Sequence, residues 1–504
     1  MNILYYASIV MVIFVLIGSR FRNRIIKGIG YTTLIAIPLY SMVMGGPWDF
    51  ISSMLAILAA IVGFASSMYT NGYEDLKYGG GYLHILIDLF AVAVYTTFIS
   101  INTIVFIVCW LIAEIIGFFT IVYEVERRTL TAGLRYIAIS MIPSDMALMT
   151  LLASLSMKMT VTEALSASIS DVGHLLIGLP PALYTIMILG FIAKAAVIPL
   201  HFWLPDAHSL APAPASAILS GIMVKMGIYG VLRVLPSIDT AFTSTAFLFF
   251  GVITSIYGGF LALAQSDIKR ILAYSTIEHT GLIITTLMLY RLYNLTIFLE
   301  AALVTICSHA LYKAALFLNS GSIEVYSHTR DISRLGYLAR KIPAEALSAL
   351  ISILSLIGVP PTIGFIAKLF LLTALIYHLI INPVLGTVLI ALISIAIALA
   401  AIYSIKYATV YWGTWRGSST ESKEIDVSIE LSKRLTIWEY IPAWLGIAGT
   451  PPIMIAILGT EVLKIELLAP LLLAMTLFLA LTYYVYMRLR AASRDVQWLG
   501  GALP

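Results

Sequence analysis

The sequence predicts an all-α integral membrane protein, and three observations carry that reading. The chain of 504 residues is 60% hydrophobic and only 11% charged, whereas a soluble domain is about half apolar and about a quarter charged. Its mean hydropathy of +0.98 means that lipid must solvate much of its surface. The apolar residues also gather into runs of about 20, the length that crosses a hydrocarbon core. These runs lack the alternation of barrel strands, and a backbone in lipid must satisfy its own hydrogen bonds, so helices follow.

About fourteen to fifteen transmembrane helices are expected. The candidate runs are 3–18, 25–44, 49–69, 82–99, 101–123, 132–157, 179–200, 212–235, 242–264, 270–290, 295–319, 345–377, 384–412, 441–460 and 465–488. The first run leads into Arg20, Arg22, Arg24 and Lys27 with no small-residue cleavage site, so it reads as a retained helix and not a signal peptide.

The connections test the count. Basic residues cluster in alternate connections, at Arg127 and Arg128, Lys269 and Arg270, Arg330 and Arg334, Lys423, Lys433 and Arg434, and the tail Arg488, Arg490 and Arg494. The intervening connections carry little beyond Lys158 and Arg291. Retained positive loops place the N-terminus outside and the C-terminus inside a cytoplasmic membrane. The one long polar stretch, 414–436, is expected as a cytoplasmic loop before the last two helices.

The net charge of +4 is small and says nothing about nucleic acid, and no nucleic-acid partner is expected. Cys109 and Cys307 stand alone in apolar runs, and two isolated thiols hold neither an iron–sulfur cluster nor a zinc ion. No metal or cofactor is expected in this chain.

One internal echo organises the middle. Gly-Phe-Ile-Ala-Lys ends at Lys194 and again at Lys368, in spans separated so that two five-helix repeats would have opposite topology. Inverted repeats with sites near the midplane are a transporter architecture. The expected division is 1–80 for three N-terminal helices, 81–240 and 241–413 for the two inverted five-helix repeats, and 414–504 for the loop and C-terminal helices.

Charges deep in apolar runs carry the chemistry, because each costs about 2.5–3.5 kcal/mol on insertion scales and usually marks function. They are Glu114, Lys194, Lys225, His309 with Lys313 one turn later, and Lys368, with His279 and Asp145 as less certain members. A lysine near a helix end can snorkel to water, but four at mid-span cannot all do so. Burial and alternating charge pairing tune lysine and carboxylate protonation, and histidine passes protons between its two nitrogens. Pro199 and Pro205 follow Lys194, and Pro360, Pro361 and Gly364 precede Lys368. Such residues break membrane helices where the backbone lines a hydrated cavity.

Four segments together resemble a known family: PLHFWLPDAHSLAPAPASAILSGIMVKMGIYGVLR (199–233), AQSDIKRILAYSTIEHTG (264–281), SHALYKAALFLNSG (308–321) and GVPPTIGFIAK (358–368). They are similar to proton-conducting antiporter-like membrane subunits of respiratory complex I, membrane-bound hydrogenases, formate hydrogenlyases and Mrp-type sodium/proton antiporters. The resemblance runs from about residue 49 to about 459. It implies that Glu114 and Lys194 pair, that Lys225 is the central lysine, and that His309, Lys313 and Lys368 continue the row. His279 falls in a matching motif, as do His201 and His208.

The implied function is proton translocation along this row, driven by redox chemistry in partner subunits that carry iron–sulfur, quinone-site or hydrogenase centres. The alternatives are a subunit of an Mrp-type sodium/proton antiporter and a non-conducting piece of a membrane arm. Whether the chain belongs to an enzyme depends on that assembly, since no redox chemistry is read in the chain itself.

Overall fold

The structure is a computed structural model that describes residues 2–238, 241–360 and 362–413. The expected loop at 414–436, the spans 441–460 and 465–488, the C-terminal division 414–504 and Pro361 lie outside the described residues.

Every other expected span coincides with helix. In chain order these are α1 (Asn2–Arg20), α2 (Arg24–Met44), α3 (Phe50–Tyr78), α4 (Leu83–Phe98), α5 (Thr103–Ile121) and α6 (Arg127–Ser156). Two short helical turns, Val161–Ser166 and Val172–Leu175, lead to α7 (Pro181–Lys194) and α8 (Trp203–Leu210). The rest are α9 (Ala213–Ser237), α10 (Ala241–Ala264), α11 (Ile268–Tyr293), α12 (Thr296–Ser327), α13 (Pro343–Ile357), α14 (Ile363–Ile381) and α15 (Pro383–Trp412). Among the described residues, ten helices are long and apolar enough to cross a membrane. The chain is therefore a multi-pass, all-helical membrane protein.

Local chemistry sets the helix ends. The Asn23, Asp49, Asn102 and Asp267 side chains accept backbone N–H groups in the first turns of α2, α3, α5 and α11, filling orphan donors that lipid could not satisfy. Gly358 ends α13 in the left-handed region at φ 84°. The expected single span 345–377 is thus two helices, α13 and α14, with the break immediately before Gly364 and Lys368. A second break separates α7 from α8, directly after Lys194.

The echoed pentapeptide shows its use here. A Cβ on Gly190 would strike the Pro143 carbonyl, and one on Gly364 would strike the Ser355 carbonyl. Each glycine lets its helix lie backbone to backbone against a neighbour, a close approach that small residues permit in membranes. The two lysines are not placed alike. Lys194 is the last residue of the half-helix before its break, whereas Lys368 follows its break by one turn.

The bundle is graded from periphery to core. The most apolar stretch of α9 is entirely buried and that of α12 is 94% buried, against 28% for α1. α9 and α12 are thus the central pillars, with the breaks of α7–α8 and α13–α14 beside them. Two single π-helical turns interrupt the regular winding, Ile137–Met141 in α6 and Leu219–Met223 in α9. Each lies within one turn of an ionisable residue, Asp145 and Lys225 respectively, as π-bulges frequently do at functional sites.

Candidate functional site

The site begins where α5, α6 and α7 meet. Glu114 and Lys194 are both fully buried, and Lys194 Nζ lies 2.8 Å from Glu114 Oε1. Lys194 also donates to the Tyr136 hydroxyl at 2.8 Å and lies 4.6 Å from the centre of its ring. Ser144 donates to Glu114 Oε1 at 2.5 Å. The Lys194 position follows from the break, since the helix stops just where its last side chain turns into the bundle.

The next group sits on the axis of the molecule. Lys225 Nζ donates to the Ser220 carbonyl within the π turn of α9, at 2.6 Å, and meets His309 Nδ1 on α12 at 2.5 Å. With the ammonium as donor, this imidazole nitrogen must be unprotonated. The His309 ring stacks on His279 of α11, with centroids 5.1 Å apart and planes 21° apart. His279 Nδ1 is 2.8 Å from the Ser275 carbonyl, so the proton belongs on Nδ1. Lys313 donates to the Ser275 hydroxyl. Five side chains from three helices therefore form one continuous polar seam.

The seam reaches Lys368 through a small space. His279, Ser308, Tyr312, Ser355 and Lys368 help line a cavity of about 20 Å³, enough for one water by the usual requirement of roughly 10–15 Å³. Lys368 Nζ donates to the Ile357 carbonyl at 2.5 Å, a backbone acceptor that the break of α13 leaves without a helical partner.

Glu278 is the residue that the sequence reading passed over. It is fully buried on α11, accepts a hydrogen bond from Tyr403 of α15 at 2.5 Å, and faces Lys313 and Lys368. It supplies a carboxylate opposite the lysine-rich end of the row. The signal was present, because a glutamate inside the apolar run 270–290 meets the same criterion that selected Glu114. Tyr136 and Ser144 carry no such signal, since hydroxyl groups are common in membrane helices.

The two remaining candidates separate. His208 is fully buried between Trp203 and Phe317, with ring centroids at 6.0 and 5.7 Å, and neither nitrogen has a partner. It interacts electrostatically with Lys225 and lies between the Lys194 and Lys225 groups by way of Trp203, which packs on Tyr136 at 5.2 Å. His201 stands apart from the row. It packs against Tyr257 and borders a cavity of about 410 Å³ that also takes in Arg135, Asp206 and Arg270.

Asp206 pairs with both Arg135 and Arg270 at that rim. Arg127, Arg128, Arg270 and Arg330 line one adjoining cavity of about 650 Å³, so these three basic connections share one end of the bundle. Glu124, in the connection between α5 and α6, completes this end. Burial alone would raise its carboxyl, but the Tyr78 hydroxyl at 2.6 Å and the Lys77 ammonium at 3.0 Å outweigh that and hold it below the usual carboxylate value.

Comparison with known proteins follows this geometry. Residues 100–394 match the family described as NADH:quinone oxidoreductase/Mrp antiporter, TM. The chain is 28% identical over 335 residues to hydrogenase-4 component B of Escherichia coli (strain K12), covering 63% of this chain and 48% of that protein. It is 37% identical over 227 residues to NADH-quinone oxidoreductase subunit M of Rickettsia prowazekii (strain Madrid E), covering 44% of each. The chain thus spans about half the length of these curated relatives. Among solved structures it superposes on a chain of the Mrp complex from Dietzia sp. DQ12-45-1b with a TM-score of 0.72, at 20% identity, covering 99% of this chain and 57% of that one. It also superposes on a chain of the membrane-bound sulfane sulfur reductase, an archaeal respiratory membrane complex. There the TM-score is 0.71 and the identity 24%, covering 90% of this chain and 77% of that one.

Proposed function

The chain belongs to the NADH:quinone oxidoreductase/Mrp antiporter transmembrane family, and we propose that it is a proton-translocating subunit of a larger energy-converting membrane complex. One observation carries the reading. Four lysines, two glutamates and two histidines lie in the interior of a multi-pass helical bundle, as a Glu114–Lys194 pair and as a seam from Lys225 through His309, His279 and Lys313 that a one-water space joins to Lys368. Intramembrane ionisable groups that pair with one another are the hallmark of proton relays.

In this mechanism Glu114 holds the Lys194 ammonium in place until a movement of the α7 break separates them. The lysine then passes its proton toward Lys225 by way of His208. His309, His279 and Lys313 carry it across the centre, and Lys368 delivers it to the exit. Glu278 balances the charge that arrives at Lys313 and Lys368. The basic connections face the cytoplasm, with the N-terminus outside. Redox chemistry in partner subunits drives the cycle, and this chain contributes only the proton path.

Purification of a C-terminally tagged chain from native membranes, with identification of its companions and proton uptake measured in proteoliposomes, tests the reading. Companion subunits bearing iron–sulfur or nickel–iron centres, together with redox-driven acidification, are expected. Companions without a redox centre, and transport coupled to sodium, would overturn the redox-driven assignment.

A further inference from the structure

Asp145 is half-buried on α6, one residue beyond Ser144, and interacts with Glu114 on α5, with Lys194 on α7 and with Tyr136 on its own helix. The hydrogen bonding of Glu114 is lopsided. Its Oε1 receives both nearby donors, Lys194 at 2.8 Å and Ser144 at 2.5 Å. Its Oε2 is buried with no partner, and so is Oδ1 of Asp145. The two carboxyl groups interact directly, as the contact of the adjacent Ser144 with Glu114 brings this turn of α6 against α5.

Two carboxylates cannot hydrogen-bond without a proton between them, and like charges in contact in a low-dielectric site do not both ionise. One lysine also cannot neutralise two carboxylates. A single proton shared by the two groups resolves each difficulty. It satisfies both orphaned oxygens and leaves Lys194 with one net negative charge, so that the cluster is neutral.

We propose that Glu114 and Asp145 form a carboxyl pair that holds one proton, and that Asp145 is the member through which the pair exchanges it. Glu114, Lys194, Tyr136 and Ser144 are all fully buried, whereas Asp145 is flanked by Ile142 and Met146, which are 52% and 57% exposed. Of these five residues Asp145 alone is not fully buried. When the proton leaves, one carboxyl O–H bond breaks and the cluster becomes singly negative. A proton from outside the cluster restores the starting charge, whereas one from Lys194 re-protonates the pair, leaves the lysine neutral and keeps the cluster singly negative. The exchange role rests on the proton-translocation reading above, but the shared proton does not.

The test is infrared spectroscopy of the purified native complex, with proton uptake measured in parallel. The wild type minus Asp145→Asn difference spectrum is expected to show loss of one protonated-carboxyl carbonyl band that shifts in D₂O. Asp145→Glu is expected to keep such a band, and Glu114→Gln to remove one. Proton uptake is expected to fall about tenfold in Asp145→Asn and to recover in Asp145→Glu. No missing band in Asp145→Asn would overturn the shared proton, whatever the transport result. A missing band with full uptake in Asp145→Asn would overturn the exchange role alone. Full uptake in Lys194→Met would instead count against the translocation reading and leave the carboxyl pair standing.

Discussion

Separating Lys194 from Glu114 is the step on which coupling depends, and its size can be worked from the structure. At 2.8 Å two unit charges attract by about 6 kcal/mol at an effective dielectric of about 20. At roughly 6 Å the attraction falls to about 3 kcal/mol. That difference moves the equilibrium for releasing the lysine proton by about 200-fold, at roughly 1.4 kcal/mol per tenfold. A displacement of one side-chain length is therefore sufficient to switch the site. Glu114→Gln keeps the size of the side chain and its acceptor for Ser144, while Lys194→Met keeps most of the lysine volume. Each removes the switch, and each is expected to lower coupled proton translocation by about two orders of magnitude. The assay is acidification of proteoliposomes by the reconstituted complex, with subunit content checked on a gel. Pumping at the wild-type rate in both variants would refute the reasoning, since neither charge could then be part of the path.

Three further outcomes follow from other parts of the bundle. Lys27 and Asp88 form a fully buried pair at 3.2 Å, with Tyr31 donating to Asp88 at 2.8 Å. Lys27→Met is expected to destabilise the protein by about 3–5 kcal/mol because it strands a buried carboxylate, and Lys27→Met with Asp88→Leu should recover most of that in thermal unfolding. Glu278→Gln keeps an acceptor for Tyr403 but removes the charge facing Lys313 and Lys368; proton uptake should fall by about tenfold, or about 1.4 kcal/mol, with assembly unchanged. The Glu124 carboxyl is held below its usual value, so its contribution is present at neutral pH and lost as pH falls through the depressed value. Glu124→Gln should therefore lower the melting temperature near neutrality, and the two proteins should converge only as pH falls below the ordinary glutamate range, read by thermal unfolding in detergent.

Where the chain crosses the membrane was legible in the sequence because lipid imposes a strong and local requirement. A run of about 20 apolar residues has one stable outcome, so every expected span within the described residues meets a helix, and the basic connections at Arg127, Arg270 and Arg330 gather at one end. The buried charges were legible for the same reason, since Glu114, Lys194, Lys225 and Lys313 are conspicuous in apolar runs. The division of 345–377 into two helices was hinted at by Pro360 and Gly364, but periodicity alone carried it through as one span.

Pairing could be decided only by the tertiary structure. The distance from Lys225 to His309 joins residues 84 positions apart, and the Tyr403 contact that fixes Glu278 joins residues 125 apart. Such contacts depend on how helices pack, and packing in lipid is set by small residues and shape rather than by apolarity. That is why His201 and His208, seven residues apart in one motif, have different surroundings. The α8 turn carries His208 into the core beside Phe317 and leaves His201 at the arginine-rich rim. Asp145 shows the same limit: its place on α6 could be read in advance, but its contact with Glu114 required the close approach of α5 and α6. The sequence by itself determined which groups lie in the membrane, because desolvation acts on each residue alone. Which of them share a proton was decided by the fold, because that depends on distances of a few ångströms between helices.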